Sequence, residues 1–457
     1  MKTFHRIFLP KYVYKQKKLI FTFYIFLFAG IMMRIIFMPI GIDSDLVAHN
    51  YFSHFFSYHG VLNIYTYLSE NNMCYLVYNL CYPYPPSLYF FLGTWQAIFK
   101  LIAPSFHLWM SQIGPVLEHG SPIVDYVNTA TQIHWSLFLM KFPYLILDIA
   151  TAFLLMRFFQ DPKKSILAFQ LWMINPVAIY ATGIYGAWDI IPTFLFTLSL
   201  FLIYKKKLEL SMIVLGVAVS FKYYPVLFII PAVLIFSKRL KERIKLFILA
   251  FVPIIIISLP FLSSLYVKQA IFSPLLKRDI PPFLDAIMLK FFNLFGIHVN
   301  LLVIIPIFII FYAFIYLYLY FKPYYSFQSY WKIILISLLV FYATSQFETR
   351  YLLWVIPLLV MFIAEQKKFY LFFWLFMIIG ILFTSSTHVH FSWGLFTTLN
   401  TDLYNMAPLI MYVPDFLNRT LVYFVVRAIF SLITIYISYL VWRSISEYKS
   451  KAKFSFK

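Results

Sequence analysis

Gly41-Ile42-Asp43-Ser44-Asp45-Leu46-Val47-Ala48-His49 follows the first long apolar stretch of the chain, residues 19–40, and its reading decides the rest. Two carboxylates and a histidine arrive where a segment long enough to cross a bilayer hands over to a long loop. Stretch 19–40 is too long for a signal-peptide core and no small-residue cleavage site follows it, so it reads as an uncleaved span. Asp43 and Asp45 then have two readings. They cap a helix leaving the membrane, or they bring a general base to its surface.

Composition sets the class. Of 457 residues, 62% are hydrophobic and 12% charged, against about 45–50% hydrophobic in soluble domains. Apolar runs of about 17–25 residues, the length that crosses a bilayer core, recur along the chain and leave no soluble domain. The predicted fold is an all-α integral membrane protein, a polytopic bundle of about twelve spans with a large first external loop carrying interfacial helices. The formal charge of +20 sits in short clusters between apolar runs rather than on one face, which points to membrane topology and away from nucleic acid.

Those clusters orient the chain. Residues 1–18 carry six Lys or Arg and read as a cytoplasmic basic N-terminus. Residues 41–132 hold one basic residue, Lys100, against five acidic ones, so this loop is expected outside. Within it, residues 86–103 read as an interfacial or re-entrant helix, with a true crossing as the alternative. Residues 19–263 form one transmembrane module, 264–298 a second external loop, 299–443 a C-terminal module and 444–457 a basic cytoplasmic tail. Residues 210–236 have basic clusters at both ends and read as two short helices broken at Lys222-Tyr223-Tyr224-Pro225, since proline and charge are tolerated at membrane depth where the backbone lines a cavity. No sequence repeat links two halves. The abundance of Lys, Ile, Phe and Tyr fits a low-GC genome, so the expected location is a bacterial plasma membrane, or the endoplasmic reticulum membrane if the source is eukaryotic.

Ionisable residues inside or at the ends of spans are expensive and tend to be functional. Asp43, Asp45, Asp189, Lys222, Glu348 and Arg350 all map to the outer ends of spans. Lys141 and Asp148, seven apart, read as buried partners on one helix face, and Arg34 as a cation snorkelling outward. His388 and His390 resemble a metal pair without a carboxylate or cysteine at ligand spacing, so neither metal nor other cofactor is expected. Cys74 and Cys81 are either a pair, if their loop faces an oxidising space, or two free thiols. One acid, fixed cations and many aromatics at the outer surface suit sugar transfer from a lipid-linked donor. The acid deprotonates an acceptor hydroxyl, the cations balance the leaving phosphate, and Tyr and Trp offer platforms for sugar rings. Asp43-Ser44-Asp45 spells Asp-x-Asp, but on the side away from cytoplasmic nucleotide sugars. The competing reading is a transporter or flippase of a polyisoprenoid-linked or other anionic lipid, in which Lys222 and Arg350 bind phosphate and nothing is transferred.

In order over residues 19–365, Asp43 with His49, Tyr84-Pro85-Pro86, Met140-Lys141 with Asp148, Asn175-Pro176, Gly186-Ala187-Trp188-Asp189, Lys222 in its broken helix and Glu348 nine residues before Pro357 form a set. This set resembles the GT-C membrane glycosyltransferases that use polyprenyl-phosphate sugars, in particular dolichyl-phosphate-glucose glucosyltransferases and bacterial GPI-mannosyltransferase-like proteins. It departs at Phe347, where relatives carry histidine, and at Ala187, where many bacterial members carry glutamine. The resemblance implies an inverting, metal-independent transfer of mannose or glucose from a polyprenyl-phosphate donor to a glycan or glycolipid acceptor. Asp43 is then the base with Asp45 as the other candidate, Lys222 and Arg350 hold the lipid phosphate, and His49, Asp189 and Glu348 belong to the substrate site.

Overall fold

A computed structural model describes residues 16–71, 73, 82, 84–118, 123–262, 307–321, 326–345, 347–386, 388–414 and 416–454. Cys74, Cys81 and the loop 264–298 lie outside the described residues. Those described form helices and their connections, with no strand among them. Seven helices are long and apolar enough to cross a membrane. Five shorter apolar helices make up the rest of the twelve segments expected.

Helix α1 (Lys17–Phe37) has 21 residues, about 31 Å at 1.5 Å per residue, which matches the hydrocarbon core. The first large loop then builds its own helices: α2 (Ser44–His59), α3 (Ile64–Glu70), α4 (Pro86–Phe99), α5 (Pro104–Glu118) and α6 (Ile123–Asn128). α4 starts at Pro86, a residue suited to a first helical turn, and its 14 residues reach only about 21 Å. Its tip, around Leu101 and Ile102, exposes apolar side chains before Pro104 turns the chain back into α5. α4 packs along α2 and runs antiparallel to the first half of the next long helix, Ile133–Met156, Trp95 Nε1 donating to Leu139 O at 2.7 Å and Trp135 Nε1 to Ile102 O at 3.2 Å.

α7 (Ile133–Met156) and the stretch Pro162–Tyr185 are full-length spans. The second of these is interrupted. α8 (Pro162–Met173) stops before Asn175-Pro176, and the chain continues as a π-helical turn, Ile179–Tyr185. Pro176 has no N–H for a helical bond, and the Asn175 side chain caps the restart by accepting from Ala178 N at 3.0 Å. α9 (Ile190–Tyr204) and α10 (Leu208–Phe221) pair, and α10 breaks at Lys222 as its sequence predicts. A 3-10 turn, Tyr224–Phe228, leads into α11 (Ile229–Phe236). α12 (Leu240–Ser258), α13 (Ile307–Phe321) and α14 (Phe327–Thr344) follow. The 3-10 turn Thr349–Trp354 precedes α15 (Ile356–Glu365), and α16 (Tyr370–Ser385) and α17 (Arg419–Phe454) complete the bundle.

Two side-chain pairings differ from the sequence reading. Lys141 and Asp148 do share a face of α7, but seven residues separate them by about 10 Å along the axis, beyond the i+3 and i+4 positions where side chains meet. Asp148 pairs instead with Arg34, which does not snorkel but is buried. The same carboxylate accepts from Trp172 Nε1 at 2.6 Å and Thr182 Oγ1 at 2.8 Å, while Arg34 donates to the carbonyls of Met173 at 2.7 Å and Gly30 at 2.9 Å. One ion pair thus fastens α1, α7, α8 and the π turn. Removing one partner of a buried pair leaves an uncompensated charge, at a cost of about 3–5 kcal/mol. Asp148→Ala is therefore expected to lower the thermal unfolding midpoint of the detergent-solubilised protein sharply, and the double variant Arg34→Met with Asp148→Leu to recover part of the loss. A double variant no more stable than Asp148→Ala would argue against the pair as the fastening.

Candidate functional site

The loop after α1 is held from three sides. Lys141 Nζ donates to the carbonyls of Gly41 at 2.6 Å, Ile184 at 2.7 Å and Gly183 at 3.1 Å. Ile42 N donates to Leu395 O at 2.8 Å, and Thr398 donates to Ile40 O. Gly41 sits so close to the π turn that a Cβ there would meet Ile184 O at 2.0 Å. Asp43 follows as the N-cap of α2, accepting from Asp45 N at 2.8 Å. The capping reading is therefore correct, and it does not exclude the other. The cap points the start of α2 at the centre of the bundle end.

The π turn delivers the next residues. It ends at Gly186, whose φ of +78 admits glycine far more readily than any side chain, and Ala187 N returns a bond to Ala181 O at 2.7 Å. Trp188 and Asp189 are thereby set beside the start of α9. Asp189 is fully buried; one carboxylate oxygen accepts from Lys222 Nζ and from Trp354 Nε1, each at 2.6 Å. Its other oxygen has no hydrogen-bond partner among the described residues. Lys222 reaches it because the break in α10 leaves that residue extended, at φ −153.

The turn Thr349–Trp354 brings the last pieces. Arg350 Nη1 donates to Asp45 Oδ2 at 2.5 Å, and Arg350 Nε lies 2.6 Å from Glu348 Oε2, an ion pair off the line of a hydrogen bond. Lys222 Nζ sits over the rings of Tyr351 at 4.4 Å, Trp188 at 4.6 Å and Trp354 at 5.2 Å. Trp354 in turn stacks on Tyr224, with centroids 4.1 Å apart. His49 meets Tyr84 edge-on at 4.5 Å, and neither of its ring nitrogens has a partner among the described residues.

All seven residues singled out by sequence, Asp43, Asp45, His49, Asp189, Lys222, Glu348 and Arg350, thus converge on one end of the bundle. They are graded in exposure: the side chains of Glu348 and Asp45 are 33% and 31% accessible and Lys222 17%, while Asp43, His49 and Asp189 lie behind them. What single residues did not reveal is the aromatic frame. Trp354 follows Arg350 by four positions and Tyr351 by three, a spacing that marked neither as a partner of Lys222. Lys141, read as structural, is structural in a different place, directly behind the Asp43 loop.

Asp43 lies between α1 and α7, outside the spanning segments. Burial pushes its carboxyl up, the Asp45 charge adds to this, and Arg350 only partly offsets them, leaving it at about 7. Burial, the largest single influence, also pushes Asp45 up, but the charge and hydrogen bond of Arg350 together with the smaller pulls of His49 and Lys222 outweigh it and hold that carboxyl below the usual range. Burial lowers His49 to about 4, so it is a neutral imidazole at neutral pH. The arrangement offers one carboxylate able to exchange a proton near neutrality, two fixed cations, a neutral donor–acceptor ring and flat aromatic walls. Among the described residues no group of three or more His, Cys, Asp or Glu is placed to hold a metal ion.

A family model described as GPI transamidase subunit PIG-U matches residues 113–301, less than half of the chain. The match takes in Asp189 and Lys222 and leaves out Asp43, Asp45, His49, Glu348 and Arg350. No curated protein and no solved structure matches.

A Cβ on Gly186 would lie 2.8 Å from both Leu46 and the Lys141 Cε, on a backbone already in the left-handed region. Gly186→Ala is expected to cost about 1–3 kcal/mol of stability from the backbone alone. The check is the thermal unfolding midpoint against wild type; an unchanged midpoint would mean that the turn carries no such constraint.

Proposed function

We propose that this chain is a sugar transferase of the membrane, moving a hexose, mannose or glucose, from a polyprenyl-phosphate donor to a hydroxyl of a glycan or glycolipid, with Asp43 as general base. The observation that carries this reading is a buried carboxylate raised by its surroundings to about 7, in one cluster with two cations and a frame of aromatic rings. A base is most effective when its pKa lies near the working pH.

In the proposed step the acceptor O–H gives its proton to Asp43 while its oxygen attacks the anomeric carbon from the face opposite the phosphate. The bond between that carbon and the phosphate oxygen breaks, and polyprenyl phosphate leaves with the electron pair. Lys222 and Arg350 balance the charge that develops on it. Asp189 holds Lys222 in place, Asp45 and Glu348 do the same for Arg350, and neutral His49 both accepts from and donates to sugar hydroxyls. Attack opposite the leaving group inverts the anomeric centre.

Sidedness follows from charge. The turns bearing Arg157, Lys163 and Lys164, Lys205 to Lys207, Lys238 to Lys245, and Lys367 and Lys368 lie at the helix ends away from Asp43. Under the positive-inside rule those ends face the cytoplasm and the site faces outward, toward the periplasmic or lumenal side.

The family match favours a second reading, in which the chain is a glycolipid-handling subunit of a larger membrane assembly and transfers nothing. Mass spectrometry separates the two. Purified protein in lipid, given polyprenyl-phosphate mannose or glucose and a membrane lipid extract, is expected to move a hexose onto an acceptor, and Asp43→Asn is expected to abolish the transfer without altering folding. Near-normal turnover in that variant would remove Asp43 as the base. Donor bound but never consumed, across acceptor extracts, would favour the subunit.

The pH profile is a finer test. Ionised Asp43 is the active form, so kcat/KM is expected to rise through about pH 7. Asp45→Asn removes the negative neighbour that raises Asp43 and releases Arg350, so the midpoint should move to lower pH. A midpoint that stays or rises would count against the assignment.

A further inference from the structure

At the end of the bundle away from Asp43, α10 and α12 start side by side. They approach backbone to backbone at Gly216, where a Cβ would meet Ala250 O at 2.0 Å. Toward their N-termini the space between them, bounded also by the end of α11, is a cavity of about 640 Å³. Lys206, Lys207 and Lys245 line it together with apolar Leu210 and Leu246. The two acids in its lining have partners within the protein: Glu209 pairs with Lys245 at 2.6 Å, and Glu242 accepts from Ser237 Oγ at 3.1 Å. Lys206 and Lys207 therefore set its sign. Around them, segments 205–210 and 237–246 together hold eight Lys or Arg against two Glu. Lys206 has a φ of +62, a region that glycine or asparagine enters more easily than lysine. The turn that holds it there is closed by Lys206 N donating to Ile203 O and Lys207 N to Leu202 O, each at 2.8 Å.

Apolar surface continues from the cavity. Ile213 lies one turn beyond Leu210, and Ile248, 53% exposed, lies one turn beyond Lys245, each on the face of the lining residue it follows.

We propose that this cavity holds the headgroup of an anionic glycerophospholipid from the leaflet that the basic turns face, with its acyl chains laid against Ile213 and Ile248. The inference goes beyond sugar transfer and does not depend on it. Charge is the first argument, because a negative head balances Lys206 and Lys207 where basic pockets between spans meet the membrane surface. Amphipathic lining is the second: Leu210 and Leu246 sit among the lysines, where a lipid's glycerol and first methylenes follow its phosphate. The third is the exposed apolar face running from the cavity along both helices, which a soluble phosphate would leave unused.

The test uses the full-length protein in phosphatidylcholine nanodiscs to which phosphatidylglycerol is added, with bound lipid counted by native mass spectrometry and the unfolding midpoint read in parallel. Phosphatidylglycerol is expected to bind in preference to phosphatidylcholine and to raise the midpoint. Lys206→Asn with Lys207→Gln removes two charges and keeps a residue that accepts the left-handed φ. It is expected to weaken phosphatidylglycerol by about tenfold or more, each cation near a membrane surface contributing about fivefold. Leu210→Trp fills the cavity with its charges intact and is expected to weaken the same lipid. Lys163→Gln with Lys164→Gln takes equal charge from a turn that does not line the cavity and is expected to change nothing. Equal weakening by that pair would mean that the general surface field attracts the lipid, and would overturn the site. Wild-type binding in the Lys206 and Lys207 double variant, or in Leu210→Trp, would overturn it as well. sn-Glycerol 3-phosphate, the same head without chains, is expected not to displace the lipid; displacement at equal concentration would overturn the lipid assignment in favour of a soluble phosphate.

Discussion

Everything at the site depends on one buried ammonium. Lys141 donates to three backbone carbonyls that no helix satisfies, those of Gly41, Gly183 and Ile184. Each belongs to a segment that has just left helical geometry, one at the end of α1 and two in the π turn. Carbonyls freed in this way must find partners when water is absent, and a lysine supplies three donors from a single atom. By joining the two irregular segments Lys141 fixes the distance between Asp43 on one and Asp189 on the other. The Arg34–Asp148 pair, about two helical turns along α7, repeats the device deeper in the bundle. The charges most expensive to bury are thus spent on aligning backbone that helices cannot align.

This explains what was legible in the sequence. The membrane class, the break at Lys222 and the convergence of the acidic and basic candidates follow from apolar run length and from charge placed where charge is costly. Helix partners are another matter. Lys141 and Asp148 looked like a pair because a period of seven puts them on one face, yet periodicity says nothing of axial reach. The true partner of Asp148 is Arg34, 114 residues away in sequence, and only the packing of α1 on α7 and α8 brings it close. The aromatic frame was hidden for the same reason: with 22% aromatic residues, no single Trp or Tyr stands out until Lys222 is seen to sit among three of them.

Short helices are the second structural theme. α9, α10, α11 and α15 are each too short to cross alone, and α10 and the turn before α15 end at site residues. A straight span can offer only side chains to a cavity, whereas a broken one also offers backbone turns that swing a residue off the helix axis. Lys222 in extended geometry and Arg350 in a 3-10 turn are both products of such breaks. Pro225 and Pro357, just beyond them, keep regular helix from closing over the gap.

The charge balance of the cluster bears on how a transfer reaction would run there. Four carboxylates, Asp43, Asp45, Asp189 and Glu348, face three cations, Lys141, Lys222 and Arg350. Fully ionised, the set carries one excess negative charge; with Asp43 protonated it carries none. An anionic donor is therefore held best when Asp43 is neutral, whereas deprotonating an acceptor requires Asp43 ionised. The conflict resolves along the reaction. A phosphate in the cleft raises the proton affinity of Asp43 through unscreened repulsion, which makes the ionised form a stronger base when substrate is present. In the proposed transfer Asp43 would take the acceptor's proton and lose its charge as negative charge built on the departing phosphate oxygen, so the total charge of the site would stay constant while its centre moved from Asp43 toward Lys222 and Arg350. Charges held in place by packing favour a step of that kind, because little has to reorganise around a new net charge.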